Sequence, residues 1–248
     1  MGKAYAALPS VDLITSASVS ATNADSAYPD DNLGTYDPSV PFKSTTTATT
    51  ITVTHSSAAR KAVAFINTSV LVGTTTFTVG GVTVTPVART ADGQSVGCFK
   101  VLDLTAATST SIVMSGAPAM IQIGRICLVS ALIEVNWVWG GSGSVGDDSE
   151  WPTNEITTFG GSTLIYDKGY RVRRASGKLI RESDRATWLG LAQAAKGRNI
   201  PFLFIPDIDV NDAWYVRLSD SSIRGLKRFR NVSDVTIELE EVSSGLPL

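Results

Sequence analysis

Between Phe159 and Pro206 the hydrophobic period switches from two residues to between three and four and then back to two, a pattern that only a strand–helix–strand unit satisfies. After the Gly160-Gly161 break, Thr163–Tyr166 and Gly169–Arg174 read as short strands. In the second of these Tyr170 and Val172 alternate with Arg171 and Arg173, which places apolar groups on one face and guanidinium groups on the other. A turn at Ala175-Ser176-Gly177 follows. Ser183 or Asp184 then caps a helix of about residues 183–196, in which Ala186, Leu189, Ala192 and Gln193 recur at helical spacing and Gly197 is the C′ residue. The run Ile200–Pro206, apolar and bounded by prolines, predicts a buried strand near a sheet edge.

The chain N-terminal to this unit reads as β throughout. Its first 110 residues are crowded with Thr, Ser, Val and Ala, and charged residues make up only 18% of the whole, a composition suited to strands. Val11–Ile14 is the one plausible strand before a loop dense in turn formers, 27–38. Strands are then expected at Ser44–Thr54 and at the apolar Lys61–Asn67, the latter in the middle of a sandwich. Thr74–Val79, Gly80-Gly81 and Val82–Pro86 read as a hairpin, and further strands follow at Val96–Leu104, Ser109–Met114 and within Ile121–Val138. About eight strands with little helix predict a jelly-roll sandwich. The polar, glycine-rich stretch Gly140–Asp148 suits a linker at 141–150. Two domains are therefore expected, 1–140 and 151–248, the second closing with strands at Ala213–Leu218 and Val235–Glu241. The fold class is mainly β: two β-sandwich domains, the first a jelly roll, the second carrying one inserted α-helix.

The net charge of −2 provides no field for nucleic acid, and no run approaches the roughly 20 apolar residues of a membrane span. Divided at residue 150, the chain has 7 basic against 11 acidic residues before and 14 against 12 after, so the halves differ in sign. Cys98 and Cys127 form a disulfide or stay as two buried thiols, according to where the fold places them. No catalytic constellation is present, and the chain is expected not to be an enzyme. His55, the single histidine, ends a strand in a surface or turn role. Asp30, Asp31 and Asp37 lie in one loop and suit either a Ca²⁺ ion or turn capping. Nine basic residues between Lys168 and Arg198, among them Arg171, Arg173, Arg174, Arg181 and Arg185, suit a solvated face, a subunit interface or a channel lining that meets DNA without sequence specificity. Trp137, Trp139 and Trp151 cluster near the linker and either pack between domains or form a sugar-stacking platform.

Two resemblances add to this. Ala27-Tyr28-Pro29-Asp30-Asp31-Asn32-Leu33, then Asp37-Pro38-Ser39 and Phe42-Lys43-Ser44, and the strand Ala62–Asn67, resemble a discoidin-like (galactose-binding-like) jelly roll, with Phe42 where that family carries Trp. This implies a loop carrying Tyr28, Tyr36 and Phe42 that contacts a host surface glycan, and it implies the Ca²⁺ site. The second half resembles, in the order of its strands and helix, the β-sandwich of distal-tail and baseplate minor tail proteins of long-tailed bacteriophages. That resemblance implies a virion protein, made in the bacterial host cytoplasm, which forms a homo-oligomeric, six-copy ring at the tail tip. Its neighbours would be the tail tube, the tape measure and the baseplate hub. The alternative is a carbohydrate-binding module that attaches to host glycans.

Overall fold

A computed structural model describes residues 3–16, 18–71, 75–85, 94–117, 120–135, 138–139, 153–157, 163–167, 174–206, 208–209, 213–219, 226–229 and 232–242. In chain order the strands are β1 (Ala4–Ala7), β2 (Ser18–Ala21), β3 (Phe42–Lys43), β4 (Thr49–Leu71), β5 (Thr76–Val79), β6 (Val82–Val84), β7 (Gln94–Ser115), β8 (Gln122–Val129), β9 (Ile133–Val135), β10 (Val138–Trp139), β11 (Thr153–Thr157), β12 (Thr163–Asp167) and β13 (Arg174–Arg181). The helix α1 (Glu182–Ala194) follows, then β14 (Phe202–Ile205), β15 (Trp214–Leu218), β16 (Leu226–Phe229) and β17 (Val232–Glu241). The protein is mainly β with one α-helix among the described residues, as the composition predicts.

The first sheet is built on two long partners. The strands expected at Ser44–Thr54 and Lys61–Asn67 are one strand, β4, and those at Val96–Leu104 and Ser109–Met114 are one strand, β7. Register shifts between Thr54 and Ala58, Ala58 and Arg60, and Arg60 and Ala62 let the ladder continue through the polar stretch that looked like a break, while bending it. On one side of the bend β2 and β5 flank the β4–β7 pair, with β6 beyond β5; on the other side β8 joins β4, with β3 beyond β8. The two halves of the bent ribbon bury Ile51, Val53, Phe77, Val79, Ile112 and Met114 against Val63, Phe65, Ile123, Ile126 and Leu128. Phe65 and Phe77 stack across this core at 4.3 Å between ring centroids. The Gly80-Gly81 hairpin forms as expected, both glycines at positive φ (54° and 89°) as a tight two-residue turn requires.

The second sheet runs β10-β13-β17-β15-β14-β1-β9, with β16 paired to β17, and it takes strands from both ends of the chain. The division at residue 140 therefore does not follow the sheets. Tyr5 pairs with Ile205, Ala6 with Ile133 and Val138 with Lys178, so residues 4–7, 133–135 and 138–139 belong with the second half. Val11–Ile14 is not a strand: Pro9 starts a 3₁₀ turn over Pro9–Val11, and a second turn spans Ile14–Ser16. β14 lies between β1 and β15, inside the sheet and not near its edge; Pro201 and Pro206 sit just outside it, so no ladder N–H is lost. β13 runs through the expected turn at Ala175-Ser176-Gly177, because β17 supplies a partner at each of those positions.

The helix ends near its predicted limits, but its buried stripe is Trp188, Leu191, Ala192 and Ala195, with Ala186 exposed. Trp188, the largest side chain of the helix, takes the core position and lies 6.2 Å from the Phe204 ring. Lys196 and not Gly197 is the C′ residue, at φ 48°; its N–H donates to Gln193 O and that of Gly197 to Ala192 O, the paired bonds of a Schellman end. β11 and β12 form a separate hairpin.

The layers stack. Alternation along β4 sends Val63 and Phe65 into the jelly-roll core and Ala62, Ala64 and Ile66 to the opposite face. There they meet Ala7, Leu203, Ile205 and Tyr215 of the second sheet, whose other face carries Phe202, Phe204, Trp214 and Val216 against the helix. Cys127 is buried and free on the side between the sheets, opposite Ala64, while Cys98 stands opposite Phe65, the neighbouring residue of β4; the two are not bonded. The linker 141–150, Trp137 and Trp151 lie outside the described residues, and Trp139 ends β10.

Candidate functional site

The loop from Asp25 to Lys43 is held by its own short-range bonds. Asp25 Oδ1 accepts from Ala27 N, Tyr28 N donates to Asp25 O, Lys43 N donates to Tyr28 O at 3.2 Å, and Asp25 N returns a bond to Lys43 O at 2.9 Å. Asn32 Nδ2 donates to Pro41 O, and Leu33 is fully buried beneath the 3₁₀ turn Asp30–Gly34. Gly124 lies under this loop: a Cβ there would collide with the Pro38 carbonyl, so glycine is what lets β8 pass so close. The half-buried Tyr28 ring carries the Lys43 ammonium 3.8 Å from its centroid.

Of the other aromatic residues assigned to this loop, Phe42 is fully buried in the jelly-roll core and is removed as a surface contact. A Phe paired to β8 at Ile123 is placed by the ladder with its ring inward. Tyr36 is half-buried and faces the Arg125 guanidinium at 5.1 Å. Of the three aspartates Asp37 caps its turn, Oδ1 accepting from Ser39 N at 2.9 Å; Asp30 Oδ2 instead accepts from Ala21 N of β2 at 2.7 Å, and Asp31 is exposed. Among the described residues no three His, Cys, Asp or Glu side chains come together as a metal's ligands.

Arg125 is the buried centre that the sequence reading missed, although a lone arginine within the apolar run Ile121–Val129 signals a paired charge. It is 1% exposed; Nη2 donates to Asp12 Oδ2 at 2.6 Å and to Thr15 Oγ1, and Nη1 donates to the carbonyls of Gly34 and Thr35. Asp12 in turn accepts from Ile14 N and Leu128 N. On its far side the guanidinium lies 5.2 Å from the ring of Tyr215 in the second sheet. One cation thus ties together the β1–β2 connection, the Tyr36 loop, β8 and β15. A cavity of about 10 Å³, room for one water, lies beside Asp12, Tyr36, Cys127 and Tyr215. Burial pushes the Cys127 thiol up to about 12, so it is protonated and unreactive at neutral pH, and burial likewise raises Tyr215.

His55 is buried, not at the surface. Its Nδ1–H donates to Ser56 O at 2.7 Å and its Nε2 accepts from Thr110 Oγ1 at 3.0 Å, at the bend of β4 where Arg60 also reaches Ser109 O. Arg171 and Arg173 lie outside the described residues. Arg174 stands on β13 opposite Glu240, Arg181 opposite Val232, and Arg185 in the first turn of α1. Glu240 is also opposite Arg217, whose Nη2 it pairs at 3.2 Å, so this acid lies between two arginines of its own chain. No helix among the described residues is long and apolar enough to cross a membrane.

The fold defines a class: a mainly β protein in which a jelly-roll sandwich is packed on a second, helix-backed sheet. The sequence matches no family model and no curated protein. Among solved structures it is similar to a family 32 CBM (carbohydrate-binding module) from Clostridium perfringens in complex with galactose, at 11% identity and a TM-score of 0.38, over 50% of this chain and 98% of that one. It is similar also to a CBM32 from the same organism in complex with GalNAc-β-1,3-galactose, at 8% identity and a TM-score of 0.38, over 48% and 99%. A chitosan-binding module from a Paenibacillus chitosanase/glucanase gives 13% identity and a TM-score of 0.35, over 48% and 98%. Each likeness spans about half of the chain.

Proposed function

We propose that the protein works by recognition and not by turnover, and that its jelly roll contacts a glycan through the loop around Tyr28. The observation that carries this is the Tyr28–Lys43 pair: a partly exposed ring beside a three-donor cation, with Asp25 in the same turn, on a backbone fixed by its own hydrogen bonds. A ring face offers a sugar's C–H surface a stacking partner, and the ammonium and carboxylate offer its hydroxyls a donor and an acceptor. The test is titration calorimetry with galactose, N-acetylgalactosamine and a wider sugar panel. Binding by the wild type that Tyr28→Ala abolishes, with the fold unchanged, supports the reading; equal binding by the variant, or no binding to any sugar, removes the site.

A second reading, a component of a bacteriophage tail-tip ring, is favoured by one further observation. The jelly roll is joined to the second sheet by a shared buried layer, so its orientation is fixed, as a module decorating the outside of a ring requires. Arg174, Arg181 and Arg185, with Arg171 and Arg173, would then meet carboxylates of the neighbouring copy. Light scattering over a concentration series tests it: a closed oligomer of one size supports assembly, and a monomer both alone and with tail-tube protein removes it.

A further inference from the structure

The bend of β4 holds a second buried arginine, and its charge is unmet. Arg60 is 8% exposed. Its Nη1 donates to Ser109 O at 3.3 Å and reaches Thr110 Oγ1 at 3.5 Å. Nε is sealed from solvent without an acceptor; Nη2 has none among the described residues either, but is not sealed, so an acceptor can reach this edge of the guanidinium. No carboxylate of the described residues pairs with Arg60, and Asp103, on the facing strand, is taken by the exposed Lys61 at 2.8 Å. Arg125 shows how this fold otherwise keeps such a residue. Its Nε also lacks an acceptor, but Asp12 meets its charge at 2.6 Å. Arg60 has no such acid, and a buried cation without a counter-charge is costly to keep.

The backbone is built to place it there. Three register shifts between β4 and β7 fall within Thr54–Ala62. Arg60 stands opposite Leu104, yet its guanidinium lies back at Ser109 and Thr110, whose ladder partners are Thr54 and Val53. The bulges thus turn the side chain along the sheet, as bulges do where a strand aims a residue at a site. His55 then fixes the contact: its Nε2 takes the Thr110 hydroxyl proton, which leaves the Oγ1 lone pairs to Arg60, and its own Nδ1–H is held by Ser56 O. What remains open is the Nε–Nη2 edge, two parallel N–H groups. The flanking segments 56–59 and 105–109 carry no charge and no side chain larger than Thr. An anion approaching the bend meets neither like charge nor bulk in them.

We propose that the bend of β4 is a binding site for a small carboxylate, which Arg60 takes through its Nε–Nη2 edge. A carboxylate matches two parallel N–H groups with two oxygens. The bend offers one positive charge, since Lys61 is paired with Asp103, so a singly charged group fits better than a phosphate. The site is separate from the Tyr28 loop and does not depend on it. The experiment adds sodium formate or acetate to the folded protein at constant ionic strength, with sodium chloride and sodium phosphate as controls. It follows thermal unfolding and saturation transfer from the protein to the added anion. The expected result is a saturable rise of the melting midpoint with formate or acetate that neither control equals. Affinity falls about tenfold or more in Arg60→Lys, which keeps the charge and loses the paired N–H edge. Thr110→Val frees Nη1 from its hydroxyl, weakens binding about threefold, and stands in if Arg60→Lys fails to fold. No saturable response to formate or acetate, a response that chloride or phosphate equals, or affinity unchanged in the folded variants overturns the proposal. A dimer in light scattering that Arg60→Lys dissociates overturns it too, the carboxylate then belonging to a second copy of the chain.

Discussion

Among the described residues two cations lie over tyrosine rings. Lys43 sits over Tyr28 at the rim of a loop, and Arg125 sits between Tyr36 and Tyr215 with almost no exposure. The local chemistry is alike, yet the two regions use it differently. At the rim, water competes for the ammonium, the pair contributes about 0.5–1 kcal/mol, and it can be displaced by a ligand. Inside, the guanidinium has surrendered its water and is compensated by a carboxylate, a hydroxyl and two carbonyls, so losing it strands several groups at once. A cation–aromatic contact is therefore a binding device where it is wet and a fastening where it is dry.

The contrast breaks most sharply at Arg125. Arg125→Met is expected to lower stability by about 3–5 kcal/mol in denaturant titration, since it leaves Asp12 buried without its counter-charge. A loss below about 1 kcal/mol would show that the pair fastens nothing. Next comes Ala64→Leu, which inserts bulk between the two sheets and is expected to cost about 1–3 kcal/mol. Cys127→Ala is smaller, about 1 kcal/mol at neutral pH, and its main effect is on the alkaline limb. The thiolate is disfavoured by burial, so the folded thiol titrates above its ordinary value of 9.0; its contribution is complete below pH 9 and is lost as pH rises towards about 12. The variant should lose less stability across that window, and a limb of equal steepness would assign the effect elsewhere. Smallest is Lys43→Ala, expected to change stability by less than about 1 kcal/mol while weakening any sugar affinity of the Tyr28 loop; a loss as large as that of Arg125→Met would erase the distinction.

Much of the architecture was legible where local chemistry decides it. Gly80-Gly81 could only be a tight turn, the apolar run at Ala62–Ile66 had to be covered on both faces, and Phe202–Ile205 between prolines had to be a buried strand. What was hidden depends on partners far along the chain. Ala4–Ala7 is a poor strand former on its own and pairs only because Phe204 and Ile133 lie on either side. The bend of β4 at His55 and Arg60 reads as a break, since a bulge leaves no period in the sequence. At the candidate site Tyr28 and the capping aspartates could be read from turn chemistry, whereas the inward turn of Phe42 and the meeting of Arg125 with Asp12, 113 positions apart, could not.

The placing of β1 has a consequence for how the molecule is made. Tyr5 leaves the ribosome well before its partner Ile205, which follows 200 residues later, and the same sheet is completed by β17. During synthesis the jelly-roll strands are complete by residue 129, and of β1's two sheet partners only β9 follows soon after. The nascent chain must keep one edge of that short pair open until β14 arrives. Because the finished jelly roll already fixes where β1 stands, the late strand searches for a held partner instead of a free end, and the entropic cost of so distant a closure falls accordingly.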